Sequence, residues 1–125
     1  MRGIKKNVKG IITKVKIRLR MSDRGRERLS YFLGERLKRQ DFSFPSAGCI
    51  FKNPKNKSAG FLIERCGFKG RRVGDALVSL KHANFILNCG EASFREIEEL
   101  ILLIKRKVRE RFGIELEEKI IKWRN

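Results

Sequence analysis

The spacing of apolar residues changes along the chain, and these changes predict strands and helices in a mixed order. Residues 10–20 alternate between apolar and basic side chains, which predicts a strand with one buried face and one basic face. Ser22 and Asp23 are suitable N-caps, and the apolar residues that follow at helical spacing predict a helix to about Arg39.

The clearest predicted element is a long helix that begins after Ser93. Ser93 and Glu96 form the Ser-x-x-Glu pattern of a capping box. The apolar stripe expected to face the core consists of Ile97, Leu100, Ile101, Ile104 and Val108. Gly113 is expected to end the helix in the left-handed conformation, which glycine adopts at little cost.

Shorter elements, joined by polar and glycine-containing turns, are predicted for the rest of the chain. They are a strand at 48–52, a helix at 58–66, strands at 76–80 and 84–88, and a final strand at 114–123. Residues 68–74 are expected to form a basic connection. Because strands and helices mix without strict alternation, the sequence predicts an α+β fold, with a small mixed or antiparallel sheet packed against two to three helices.

Composition limits the class of protein. The chain has 125 residues, of which 41% are hydrophobic and 36% charged, so it can form one core beneath a highly charged surface. No apolar run approaches the roughly 20 residues of a membrane span. Residues 1–9 lack the apolar centre of a signal peptide. The three cysteines and one histidine do not have zinc-site spacing, which favours reduced thiols and a cytoplasmic protein.

The formal net charge of +17 indicates a surface that attracts polyanions. The cations are spread over several predicted elements, and few aromatic residues lie among them. A solvated basic surface and a nucleic-acid-binding module therefore both fit the charge, and the charge does not decide between them.

The segment from Phe44 to Pro54 carries the candidate chemistry. Prolines bound its apolar centre on both sides. A period of two would place Cys49 and Asn53 on one face and Lys52 on the other, so a thiol and an amide would point toward one ligand. The alternative is a short core strand with a buried cysteine that behaves as a small apolar residue.

Several motifs together resemble one enzyme family. They are Phe44–Pro54, Ser58–Glu64, Gly67–Gly70, Val78–Ile86 and Phe112–Leu116. In this order and spacing they resemble the C-terminal part of UDP-N-acetylenolpyruvoylglucosamine reductase, a flavoenzyme of peptidoglycan precursor synthesis. The resemblance implies that residues 1–40 are the end of a flavin-domain region and that residues 41–125 are a substrate-binding domain.

The activity implied by the resemblance is the NADPH- and FAD-dependent reduction of an enolpyruvyl ether to UDP-N-acetylmuramate. The motifs of this chain do not include the family's FAD-binding region. We therefore expect the chain alone to bind neither cofactor and to be inactive, with a UDP-sugar as substrate and a separate flavin-domain chain as a candidate partner. The alternatives are a basic module that binds nucleic acid non-specifically through charge, or a non-functional remnant.

The same resemblance implies roles for individual residues. Cys49 takes the position of the family's proton donor, which is usually a serine, and a thiol is much more acidic than an alcohol. Asn53, Lys52 and Arg36 are the candidate substrate-binding residues, with Asn53 aligned to a substrate-contacting asparagine.

Two further catalytic positions depend on alignment. The family uses a glutamate near the C-terminus, and strict spacing from Leu116 leads to Lys119. Glu118 would fill that role only after a shift of one residue, which would move its side chain to the other face of a strand. The family also uses an arginine to stabilise the enolate, for which Arg2 is the candidate.

Overall fold

The computed structural model describes residues 11 and 13–122. The helices are α1 (Gly25–Arg39), α2 (Ala59–Arg65) and α3 (Phe94–Phe112), and the strands are β1 (Ser46–Cys49), β2 (Arg72–Val73), β3 (Ala76–Val78) and β4 (Phe85–Asn88). Helices and strands are mixed along the chain without strict alternation. The predicted α+β fold is therefore confirmed.

The four strands form one sheet in the order β1-β4-β3-β2. All neighbouring strands are antiparallel. The β1–β4 register is irregular between Ser46 and Cys49, where Gly48 has a φ of +77°. This backbone conformation favours glycine, and the bulge turns the chain as it leaves the sheet.

The core lies between the sheet and the apolar faces of α2 and α3. Its buried residues include Leu62 and Ile63 of α2, Leu100, Ile101, Ile104 and Val108 of α3, and Ala76, Val78 and Ile86 of the sheet. The stripe predicted for the long helix is therefore the face that packs on the core, with Ile97 half-buried at its edge. This burial of apolar surface is the main contribution to stability.

Both ends of α3 form as the sequence predicts. The Ser93 side chain accepts a hydrogen bond from the Glu96 backbone N–H, and the Glu96 carboxylate accepts one from the Ser93 backbone N–H. Gly113 follows the helix with a φ of +64°. These caps satisfy backbone groups that a helix leaves unpaired at its ends.

The predicted strand at 10–20 is wrong for residues 11 and 13–20, which form no regular structure. Their apolar side chains, among them Val15, Ile17 and Leu19, are exposed. A strand is stable only when its N–H and C=O groups pair with a neighbour, and none of the four described strands pairs with this segment. Apolar alternation gives a strand pattern but does not supply that neighbour.

The helix predicted to end at about Arg39 is present as α1, but it begins at Gly25. Ser22 and Asp23 do not cap it, because the N-cap position is Arg24 and makes no side-chain capping bond. No residue of α1 is buried. Its apolar side chains Leu29, Tyr31, Phe32, Leu33 and Leu37 are all exposed. This helix therefore packs little of its apolar surface against the described chain.

The short strands differ from prediction at their ends. The strand predicted at 48–52 is β1 at 46–49, and those predicted at 76–80 and 84–88 are shortened to β3 and β4. The connection predicted at 68–74 contains β2, which pairs with β3. Residues 114–122 form no strand, although Glu118 makes an isolated bridge to Phe51. Residue 123 of the predicted last strand lies outside the described residues.

Asp41 connects the loop after α1 to the turn after β3. Its carboxylate accepts hydrogen bonds from the Ser43 hydroxyl at 2.6 Å and the Ser43 N–H at 3.0 Å, and also from the Ser79 hydroxyl. These hydrogen bonds, with a contribution from the Lys81 ammonium, hold the pKa of Asp41 below its ordinary value although burial opposes this. The Lys81 ammonium also donates to the Leu37 carbonyl near the end of α1.

We predict that Asp41 contributes to the loss of stability in acid. Because its folded-state pKa is lowered, its contribution is complete above its ordinary value of 3.8 and is lost as the pH falls through the folded-state pKa. Asp41→Asn should reduce the free energy of unfolding by about 1 kcal/mol at pH 6 and by much less at pH 2. Urea unfolding at both pH values measures this, with Asp23→Asn as a control of equal charge change. Equal losses for Asp41→Asn at both pH values would contradict the prediction.

Candidate functional site

A cavity of about 260 Å³ opens where the chain leaves β1. It is lined by Cys49, Phe51, Lys52, Asn53, Asn84 and Lys119. The structure therefore brings together three of the residues singled out in the sequence, Cys49, Lys52 and Asn53. Cys49 is half-buried at the end of β1, and all three cysteines of the chain are free thiols.

A buried side-chain amide fixes the backbone beside Cys49. Asn84 is only 3% exposed, and its Oδ1 accepts a hydrogen bond from the Phe51 N–H at 2.9 Å. Its Nδ2 donates to the Phe51 carbonyl, also at 2.9 Å. The Ile50 N–H donates to the Asn84 carbonyl. Asn84 thus continues the pairing between the two chain segments beyond the end of β1.

The sequence did not single out Asn84 as a site residue. It lay within the motif Val78–Ile86, where a carboxamide precedes the apolar residues of β4. A polar side chain next to a buried strand is costly unless its hydrogen bonds are satisfied, and that was the available signal. The partner of this side chain is distant along the chain, so the pattern alone could not identify it.

Asn53 lines the cavity and also makes a hydrogen bond to the start of α2. Its Oδ1 accepts a hydrogen bond from the Ala59 N–H, at the first residue of α2, at 3.0 Å. The Ser58 side chain caps the same helix by accepting from the Phe61 N–H. Because the oxygen of the Asn53 amide is used in this way, its nitrogen is the group that can donate to a ligand.

The segment after α3 closes one side of the cavity. The Lys52 N–H donates to the Glu117 carbonyl at 2.8 Å, and the Lys119 N–H donates to the Ile50 carbonyl at 2.7 Å. These bonds place Phe51 opposite Glu118 in an antiparallel bridge. Burial along the segment alternates, with Leu116, Glu118 and Ile120 on the more buried face and Glu117, Lys119 and Ile121 on the exposed face.

This register decides which of two neighbouring residues lines the cavity. Lys119 does so, whereas the Glu118 carboxylate contacts Lys122 at 2.9 Å and Lys105 of α3 at 3.4 Å. Burial raises the pKa of Glu118, but its bonds and charge attraction to Lys122 and Lys105 outweigh burial and lower it overall. The structure thus does not bring Glu118 to the cavity, and its catalytic role stays a prediction.

The other predicted site residues lie elsewhere or are already paired. The Lys52 ammonium forms an ion pair with the Glu117 carboxylate. Arg36 lines a different cavity of about 610 Å³ beside the loop that precedes β1. Its Nε donates a hydrogen bond to the Gln40 side chain at 3.2 Å. Arg2 lies outside the described residues.

None of α1, α2 and α3 is long and apolar enough to cross a membrane. Residues 11 and 13–122 contain no group of three or more His, Cys, Asp or Glu side chains arranged to hold a metal ion.

The family model and the curated relatives that match this chain all name the same reductase. The family model of the UDP-N-acetylenolpyruvoylglucosamine reductase C-terminal domain matches residues 40–123. The chain is 43% identical over 115 residues to UDP-N-acetylenolpyruvoylglucosamine reductase 2 of Symbiobacterium thermophilum, covering 90% of this chain and 37% of that protein. It is 37% identical over 123 residues to the reductase of Thermotoga petrophila, covering 96% of this chain and 43% of that protein.

A solved structure of the same reductase also resembles this chain. The crystal structure of UDP-N-acetylenolpyruvylglucosamine reductase from Thermus caldophilus matches with a TM-score of 0.57 and 43% identity, covering 74% of this chain and 33% of that one. This chain thus spans between 33% and 43% of the length of these relatives. The nucleic-acid-binding alternative finds no support in these comparisons.

We predict that Asn84 contributes more to stability than its size suggests. Asn84→Ala leaves the N–H and C=O of Phe51 buried without partners, so the free energy of unfolding should fall by about 3 kcal/mol. Urea unfolding measures this loss. Asn88→Ala is the matched control, since Asn88 accepts two backbone hydrogen bonds at the more exposed turn after β4 and should cost about 1 kcal/mol. Equal losses in the two variants would contradict this interpretation.

We also predict that the Glu118 carboxylate contributes to stability through its ion pairs with Lys105 and Lys122. Glu118→Gln weakens two partly buried ion pairs and should lower the free energy of unfolding by about 1 kcal/mol. Glu117→Gln, which affects one exposed pair, should cost less than about 0.5 kcal/mol. Denaturant unfolding of both variants makes the comparison. A larger loss for Glu117→Gln would show that the bridge register does not hold.

Proposed function

The chain belongs to the family of UDP-N-acetylenolpyruvoylglucosamine reductase C-terminal domains, and on that basis we propose that the cavity beside Cys49 binds the UDP-sugar substrate of such a reductase. The observation that carries the proposal is that Cys49 and Asn53 line one cavity, which lies within the region matched by the family model. The protein would then act as an oxidoreductase of peptidoglycan biosynthesis in the cytoplasm.

In this proposal Cys49 is the proton donor. Reduction of the enolpyruvyl double bond by a flavin held elsewhere in the reductase would require a proton at the carbon next to the one that receives the hydride. The Cys49 S–H bond breaks as the proton moves to that carbon, and solvent then returns a proton to the thiolate. The role requires a thiol that substrate can reach, and the half-buried position of Cys49 at the cavity meets that requirement.

Asn53 and Lys52 hold the substrate in this proposal. The Asn53 nitrogen can donate to a carbonyl or phosphate oxygen while its oxygen remains bonded to α2. Lys52 can contribute its charge only in part, because Glu117 pairs with it. Arg36 lies at a different cavity, and its contact with the substrate stays a prediction.

The described residues do not fit a flavin. A pyrophosphate commonly binds at an uncapped helix N-terminus, yet side chains of this chain already cap α2 and α3 there. The N-terminus of α1 has no such cap, but residues 21–30 around it are all exposed. We therefore propose that FAD and NADPH are bound by the part of the reductase that this chain does not cover, provided by a separate flavin-domain chain, and that this chain alone is inactive.

We predict that Cys49→Ala strongly lowers turnover in a complemented enzyme and that Cys49→Ser retains it. A suitable enzyme is the Symbiobacterium thermophilum relative with its matching region replaced by this chain. Loss of a general acid lowers turnover by about 10²- to 10⁴-fold, whereas a hydroxyl can still donate a proton. NADPH oxidation with the enolpyruvyl substrate measures the rate.

Cys89→Ala is the control in the same chimera, since Cys89 lies at the far end of β4 and does not line the cavity. Turnover by Cys49→Ala equal to that of the parent chimera would exclude Cys49 as the donor. Binding of FAD by the unfused chain, seen as a yellow purified protein, would refute the proposed division of the cofactor site.

A further inference from the structure

We propose that Lys119 makes the cavity beside Cys49 an oxyanion site, so that the negatively charged end of a ligand lies next to the thiol. The two candidate sources of that charge are a diphosphate and a carboxylate. The identity of the ligand rests on the proposed function, but the position and sign of the charge do not. Lys119 would thus be a specificity-determining residue that the family resemblance does not assign.

The first argument is the register of the segment after α3. Backbone bonds to Ile50 and Lys52 hold residues 117–119 in place at 2.7 and 2.8 Å. A slip of one residue would bring Glu118 to the cavity and turn Lys119 inward. It would also separate Glu118 from Lys105 and Lys122 and expose the buried Leu116. Lys119 is therefore fixed at the cavity by the packing of its neighbours.

The second argument is the balance of charge around the cavity. Its lining contains the two cations Lys52 and Lys119 and no carboxylate. Glu117 pairs with Lys52. Among the described residues, no ion pair includes Lys119. The cavity thus has one uncompensated positive charge, with the Asn53 amide and the Cys49 thiol beside it. A cation and an amide donor in a shared concavity favour an oxyanion.

The third argument is the absence of a carboxylic acid among the lining residues. Position 119 holds a lysine, and the neighbouring Glu118 pairs with Lys105 of α3 instead of facing the cavity. Cys49 is then the one thiol that lines this cavity, and none of its lining residues carries a carboxyl group. A cavity built in this way can hold an anion next to a proton donor, whereas a carboxylate at position 119 would repel it.

Labelling of Cys49 tests the sign of the local charge. We would measure its reaction rates with dianionic 5,5′-dithiobis(2-nitrobenzoate) and with neutral iodoacetamide, using the full chain and peptide mass spectrometry. The ratio of the two rates reports the electrostatic attraction, since changes in access or thiol reactivity affect both reagents. Lys119→Glu should lower the ratio at Cys49 by about 5-fold or more at low salt, because opposite charges attract strongly at short range.

Lys55→Glu is the matched control, because it makes the same charge change on an exposed turn outside the cavity. It should change the ratio at Cys49 by less than about 2-fold. Cys66 and Cys89 act as internal controls in the same molecules, and their ratios should be the same in Lys119→Glu and Lys55→Glu. Equal effects of the two variants on Cys49 would overturn the proposal, since the overall charge of the chain would then explain the attraction.

Protection experiments distinguish the two sources of the oxyanion. Inorganic pyrophosphate or pyruvate, compared at equal ionic strength, should slow the labelling of Cys49 by iodoacetamide in the parent chain and much less in Lys119→Glu. Stronger protection by pyrophosphate assigns the site to a diphosphate, and stronger protection by pyruvate assigns it to a carboxylate. If neither anion protects Cys49, the proposal is wrong. If an anion protects but the UDP-sugar does not bind, the proposed function fails while the oxyanion site stands.

Discussion

The arrangement of the site depends on one buried carboxamide, that of Asn84. Its two hydrogen bonds to Phe51 replace the ladder bonds that β4 can no longer offer after β1 has ended. With Phe51 fixed, the adjacent N–H of Lys52 and carbonyl of Ile50 face the segment after α3 and pair with it. A side chain that is 3% exposed thus holds together three parts of the chain that are distant in sequence, and the cavity lies where they meet.

Exposed and sheltered charges have different effects in this protein. Most of the ion pairs among the described residues are exposed, so each contributes little to the free energy of unfolding. The pairs made by Glu118 are more buried, and they determine which face of the last segment turns toward α3. The large net positive charge therefore describes the surface as a whole, whereas a few sheltered pairs determine the local chemistry. The exposed apolar side chains of α1 add an apolar area to this otherwise basic surface.

Local patterns predicted those parts of the fold that depend on neighbours in sequence. The helix α3, with Ser93 before it and Gly113 after it, could be predicted because its caps and its apolar stripe lie within one stretch. The strand predicted at 10–20 could not be judged in this way, since a strand needs a partner that the pattern does not name. The same limit applied to the site: Cys49 and Asn53 were identified from one short motif, but Asn84 acts across 33 positions and the orientation of Lys119 depends on a bridge to Phe51.

The double use of Asn53 has a consequence for how this site can change over generations. Its oxygen supports the start of α2 while its nitrogen faces the cavity, so a substitution there alters ligand contact and folding together. Lys119 has no such attachment, since its backbone alone joins the bridge and its side chain makes no ion pair among the described residues. Substitutions that change ligand preference are therefore expected to be tolerated more readily at position 119 than at position 53. One cavity thus contains a position that is free to vary and another that selection on folding holds in place.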